Sequence, residues 1–148
     1  MPDPPETTLM ALSTVSVRDV MSPGVIAIPS DSSVRTCAQT MFERRTHAVL
    51  VVDQRSREPL GWVTHQDVLR YLRSDPFTTL ASAAVREAAA YIEPDATVEQ
   101  AAEKMVAKNT THLLVGSPEL MPVGVLSSWD LVAHYARPKG GGGSGEVG

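Results

Sequence analysis

Gly61-Trp62-Val63-Thr64-His65-Gln66-Asp67 reads as the end of a strand running into a helix, and the chain makes it twice. The second copy is Gly124-Val125-Leu126-Ser127-Ser128-Trp129-Asp130. Each has a glycine, an apolar pair, a hydroxyl residue and, three positions later, an aspartate. Each is followed by helical apolar spacing: Val68, Leu69 and Leu72 in one, Leu131, Val132 and Tyr135 in the other. A repeated supersecondary unit is the first expectation.

Working outward, the residues upstream of the two copies also correspond. Val25 to Ile28 predicts a short buried strand stopped by Pro29. Ser33 then opens a helix with an apolar stripe at Val34, Cys37, Ala38, Met41 and Phe42. His47-Ala48-Val49-Leu50-Val51-Val52-Asp53 is a strand, a polar turn follows, and Leu60 to Val63 returns as the hairpin partner. The helix that Thr64 opens is expected to run to about Leu72. The second half has a short strand at Ala90-Tyr91-Ile92 and a helix with its stripe at Val98, Ala101, Ala102, Met105 and Val106. Thr97 and Gln100 fit a capping box before that helix. Thr111-His112-Leu113-Leu114-Val115 matches Thr46-His47-Ala48-Val49-Leu50, and Val85-Arg86-Glu87-Ala88 echoes Val17-Arg18-Asp19-Val20. The expected fold is α/β (α+β): two tandem β-α-β-β-α repeats, packed sheet to sheet about a pseudo-twofold axis. The expected boundaries are an arm at 1–14 with a short helix at Leu9–Leu12, repeats at 15–73 and 82–136 joined by 74–81, and a flexible glycine-rich tail at 137–148.

Composition narrows the function. The 148 residues include 13 basic and 17 acidic side chains, a net charge of −4, which offers no general attraction for nucleic acid or an anionic membrane. No apolar run reaches the ~20 residues that a membrane span needs, and the N-terminus lacks a signal-peptide pattern. The single Cys37 excludes an intramolecular disulfide. A cytoplasmic protein is expected. No Gly-x-Ser-x-Gly, no phosphate-binding Gly-x-x-x-x-Gly-Lys loop and no His-Glu-x-x-His occurs, so an enzyme is not expected.

The ordered series Val17-x-Asp19-Val20-Met21, Pro29-x-Asp31-x-x-Val34, His47-x-x-x-Val51-Val52-Asp53 and Gly61-x-Val63-Thr64-x-x-Asp67 resembles a CBS (cystathionine β-synthase) domain. It recurs in weaker form from Val85 to Asp130, so residues 15–136 resemble the tandem CBS pair called a Bateman module. The resemblance implies regulation: such pairs bind adenosine-containing ligands in clefts between the repeats, namely AMP, ADP or ATP, sometimes S-adenosylmethionine or NAD. It assigns sugar and phosphate contacts to Thr64 and Asp67 and to Ser127 and Asp130. It assigns an apolar slot for the base to Ile26, Ala27 and Ala48, and to Ala90, Tyr91 and Leu113. His47 and His112, each preceded by a threonine (Thr46, Thr111), fall where some members have a phosphate-contacting His followed by Arg. Ala48 and Leu113 replace that Arg, so tight triphosphate recognition is not expected. If one cleft alone is occupied, the one with Asp67 is expected. A homodimer and an effector protein acting in trans are the implied partners; a ligand-free interaction or scaffold domain is the alternative.

Simpler roles stand beside these. Thr64-x-x-Asp67 and Ser127-x-x-Asp130 also fit helix caps. Cys37, Met41 and Met105 read as core, and Arg44, Arg45, Lys104 and Lys108 as a solvated face. Trp62 is expected at an interface between repeats or protomers, and Trp129 toward a partner or ligand. No Cys or Glu stands at ligand spacing from His47 and His112, so no metal is expected.

Overall fold

The structure, a computed structural model, describes residues 14–137. The arm through Leu12 and the tail from Pro138 therefore lie outside the described residues. Among them, no helix is long and apolar enough to cross a membrane. They form two compact units: Val25–Ala89, and the residues up to Gly24 together with those from Ala90 onward.

The Val25–Ala89 unit holds β2 (Ala27–Pro29), α1 (Val34–Arg44), β3 (Ala48–Val52), β4 (Pro59–Thr64), α2 (His65–Leu69), α3 (Ala81–Ala84) and β5 (Glu87–Ala88). The other unit holds a 3-10 turn (Val17–Asp19), β1 (Ser22–Pro23), β6 (Tyr91–Ile92), α4 (Val98–Lys108), β7 (His112–Val115), β8 (Gly124–Ser127) and α5 (Ser128–Ala136). The expected β-α-β-β-α order is present twice, as β2-α1-β3-β4-α2 and β6-α4-β7-β8-α5. Each unit has a four-stranded mixed sheet, ordered β2-β3-β4-β5 in one and β1-β8-β7-β6 in the other. The two innermost strands of each form an antiparallel hairpin, and the first strand of each repeat joins it in parallel.

Helix starts follow from local chemistry. Ser33 Oγ accepts from Thr36 N–H at 3.1 Å, and Thr97 with Gln100 closes the expected capping box. The buried stripe is narrower than the apolar spacing predicts. Val34, Cys37 and Met41 are buried, as are Val98, Ala101 and Met105, but Phe42 and Val106 are 85% and 83% exposed. Alternating residues of the hairpins complete each core: Val49, Val51 and Val63 with α1, and Leu113, Val115 and Leu126 with α4. Helix α2 stops at Leu69 rather than near Leu72. The chain beyond tightens into i→i+3 bonds, Arg70 to Asp67 and Tyr71 to Val68, while the Tyr71 hydroxyl donates to the Ala83 carbonyl at 3.2 Å.

The edge strands show where the repeats truly correspond. Val17 N–H bonds to Ala96 O and Arg18 N–H to Pro94 O; Ala81 N–H bonds to Ser32 O and Ser82 N–H to Ser30 O. Val17-Arg18 is therefore the counterpart of Ala81-Ser82, not of Val85-Arg86. Downstream, β1 pairs with β8 (Pro23 opposite Gly124), and β5 pairs with β4 (Ala88 opposite Gly61). The shared Val-Arg-acid spelling pointed to the wrong register, because these segments are placed by backbone bonds to the loop before each helix.

Candidate functional site

In both units the repeated motif ends a strand and caps the next helix. Thr64 has extended backbone and its Oγ1 accepts from Asp67 N–H at 3.3 Å. Asp67 reciprocates: Oδ2 accepts from Thr64 N–H at 2.8 Å and from the Thr64 hydroxyl at 3.0 Å. In the other unit, Ser127 Oγ accepts from Asp130 N–H at 3.0 Å, and Asp130 Oδ2 accepts from Ser127 N–H at 2.9 Å. Both are closed capping boxes with Asp in place of the usual Glu or Gln. In each, one carboxylate oxygen closes the box and Oδ1 takes no part in it. The two differ in depth: Asp67 is only 4% exposed, whereas Asp130 is half-buried.

The strands sort the remaining candidates by face, since side chains alternate along a strand. In the first hairpin Ala48 lies opposite Thr64, and Leu50 lies opposite Trp62 and beside Ala27. Ala27, Ala48 and Thr64 thus share the sheet face away from the helices. In the second, His112 lies opposite Ser127 and Tyr91 beside Leu114, so Tyr91, His112 and Ser127 share the matching face. Ile26 and Ala90 pack instead against the helix-side cores, as does Leu113, which is fully buried there. Leu113 therefore cannot line a slot on the face that carries Ala48; its counterpart is Val49.

The histidines are one residue out of step. Thr46 Oγ1 donates to Ala48 O at 3.2 Å and Thr110 Oγ1 to His112 O at 3.1 Å, while Thr46 N–H and Thr110 N–H bond to Met41 O and Met105 O. Thr46 therefore corresponds to Thr110, His47 to Thr111 and Ala48 to His112. A slip of one residue moves a strand side chain to the other face. His47 is exposed, and its ring centroid lies 5.1 Å from that of His65. His112 Nδ1 instead lies 2.9 Å from the exposed Thr111 hydroxyl.

Two further side chains belong to this description. His65 stands beside Thr64 and its N–H bonds to His47 O; counting outward from the turn would pair His47 with Thr64 instead, because the hairpin register slips by one residue between Val51 and Val52. Lys104, expected on a solvated face, reaches Tyr91 and donates Nζ to its carbonyl oxygen. Its helical position carries no signal of that reach. Trp62 is buried, and Trp129 is 51% exposed.

A model of the CBS domain family matches residues 17–74 and again residues 76–137. The chain belongs to the CBS domain family. It is a tandem CBS module, with one family match for each repeat. A homoserine O-acetyltransferase of Methanohalobium evestigatum is 31% identical over 123 residues, covering 81% of this chain but only 24% of that protein. The CBS domain of a bacterial CNNM/CorC family Mg2+ transporter, solved in complex with ATP, has a similar fold. Its TM-score is 0.74 at 14% identity, over 88% of this chain and 93% of that one. So does the CBS domain protein PAE2072 from Pyrobaculum aerophilum, solved with AMP: TM-score 0.69 at 21% identity, over 82% and 98% of the two chains.

Proposed function

We propose that this CBS pair is a regulatory module that binds an adenosine-containing nucleotide of the AMP, ADP or ATP class and signals by a change of conformation or oligomeric state. The observation that carries the reading is the division of labour in the two aspartates. Oδ2 of Asp67 and of Asp130 closes a capping box, which holds the carboxylate rigid. Oδ1 remains outside the box and can accept a ribose hydroxyl. Helix α5, which Ser127 caps, adds backbone N–H groups suited to an anion. Solved proteins of similar fold carry ATP and AMP, which supports the same ligand class here. These groups bind and orient; they do not form a nucleophile and base, so the proposed role is regulatory rather than catalytic.

Thermal unfolding with AMP, ADP, ATP, S-adenosylmethionine and NAD tests the reading. A ligand at 100 times its dissociation constant stabilises by about 2.7 kcal/mol, which is readily measured. Absence of a shift with every one of them at millimolar concentration would sink it.

The proposed signalling form is a homodimer, from which a regulated protein would read the ligand state. Helix α5 leaves Trp129, Val132 and Tyr135 more than half exposed, an apolar face that a second copy would cover. Light scattering of the native chain and of Trp129→Lys separates the outcomes. A dimer that the substitution dissociates supports this form; a native monomer rejects it.

A further inference from the structure

We propose that His47 and His65 form a binding site for a zinc-class divalent cation, built on one hairpin and independent of any nucleotide. His47 immediately precedes β3 and His65 immediately follows β4. They flank the pair of Ala48 opposite Thr64, and His65 N–H bonds to His47 O at 2.8 Å. His65 opens α2, so this backbone bond and the ring contact, rather than a strand pairing, bring the two side chains together. Both side chains are exposed, so a cation reaches them without opening the fold.

The spacing fits two imidazoles on one ion. Zinc–nitrogen bonds of about 2.0–2.1 Å put each imidazole centroid roughly 3.2 Å from the ion, so two rings at a tetrahedral angle stand about 5.2 Å apart. At the right angle of a square-planar centre the same bonds give about 4.5 Å. The observed centroids are 5.1 Å apart, with the rings tilted by 47°. Either arrangement is within a small rotation of these exposed side chains, and an imidazole pair suits zinc, cobalt, nickel and copper. Imidazole nitrogen suits these ions and not magnesium or calcium, which take oxygen.

Among the described residues no group of three His, Cys, Asp or Glu is placed to hold a metal. The hairpin therefore supplies two ligands and leaves two positions for water or an anionic oxygen. Such a site is open and weaker than a closed structural one. The other unit has no equivalent, because Thr111 and Ser128 stand where His47 and His65 do.

The test is a calorimetric titration of the untagged full chain with zinc chloride, without nucleotide. One equivalent of zinc per chain is expected. Affinity falls on the order of tenfold or more in His47→Ala and in His65→Ala, and stays unchanged in His112→Ala and His134→Ala. Cobalt(II) in place of zinc changes its visible spectrum on binding the native chain and does not in the first two variants. Circular dichroism confirms that those variants fold. In the native chain, zinc also protects His47 and His65 from carbethoxylation, read by mass spectrometry. No binding at about 100 μM zinc, or binding that survives both His47→Ala and His65→Ala, overturns the site. Neither result bears on the nucleotide reading, which is measured without metal.

Discussion

Gly61 lies so close to Glu87 that a Cβ on it would stand 2.4 Å from the Glu87 carbonyl oxygen. The same Cβ would meet Val85 Cγ1 at 2.5 Å. Its counterpart Gly124 is crowded in the same way, by Ser22 O at 2.5 Å and Met21 Sδ at 2.7 Å. The first glycine of the repeated motif is therefore set by the edge strand beside it, not by a turn. Backbone oxygen cannot give way as a flexible side chain can. Gly61→Ala and Gly124→Ala are each expected to cost about 2–3 kcal/mol, an overpacking penalty. Gly24 has open space around it and φ of +81°, so Gly24→Ala costs about 1–2 kcal/mol for the left-handed conformation alone. Urea midpoints of the three variants provide the check; a Gly61→Ala variant as stable as the native chain would refute the crowding argument.

The capping and binding roles of the aspartates separate by substitution. Asp67→Ala removes the acceptor for Thr64 N–H and hydroxyl, at about 1–2 kcal/mol. Asp130→Ala loses one acceptor at a more open position, at about 1 kcal/mol. Asn at either position keeps an oxygen for the cap and removes the charge, so each Asn variant should unfold within about 0.5 kcal/mol of the native chain. Nucleotide stoichiometry then reports the second role. Each Asn variant is expected to lose one site by calorimetry. Full stoichiometry in both, with stability lost only in the Ala variants, would reduce the motifs to helix caps.

How far the sequence could be read depends on what held each segment in register. The fold order and the twin caps were legible because they rest on local chemistry: Ser33, Thr64, Thr97 and Ser127 each precede an apolar helical stripe. Strands β1 and β5 were not, because they are positioned by backbone bonds to distant segments rather than by a pattern of their own. Within the site, matching His47 to His112 misled by one position. The side chains that mark true equivalence are Thr46 and Thr110, each bonded to the carbonyl two residues on. Arg45 and Asn109 agree with that register, since both end their helices in the left-handed region. Leu113 looked like a slot residue only under the shifted match.

Cys37 should be inert in the folded chain. It lies fully buried on the core-facing side of α1, and loss of hydration raises its thiol from 9.0 to about 11. Thiol labelling at neutral pH is therefore expected to proceed only as fast as the chain unfolds, and to become rapid in denaturant. The sign of the pH effect follows. Between pH 9.0 and about 11 the folded chain keeps a proton that the unfolded chain has released. Stability from this group is complete below that window and declines as pH rises through it. Cys37→Ala should show a shallower decline there when unfolding midpoints are compared from pH 8 upward. Rapid labelling of the native chain at neutral pH would contradict the burial.

Arg45 and Asn109 make opposite compromises at the same place in the two units. Each ends the first helix of its repeat, with φ of 55° and 53° and ψ of 49° in both, and each donates its N–H back to the last helical turn. A left-handed conformation costs a residue with a β-carbon about 1–2 kcal/mol, except that Asn is partly spared by local hydrogen bonding of its side chain. Arg45 is exposed, so replacing it removes no buried contact. Glycine relieves the strain but adds freedom to the unfolded chain, which offsets part of the gain. Arg45→Gly is therefore expected to stabilise by about 0.5–1 kcal/mol, and Asn109→Gly by clearly less. The comparison controls for glycine's effect on the unfolded state, since both substitutions introduce it. Equal responses at the two positions would mean that the cap geometry is not what distinguishes them, and a destabilised Arg45→Gly would point to a contact of the arginine side chain that outweighs its backbone strain.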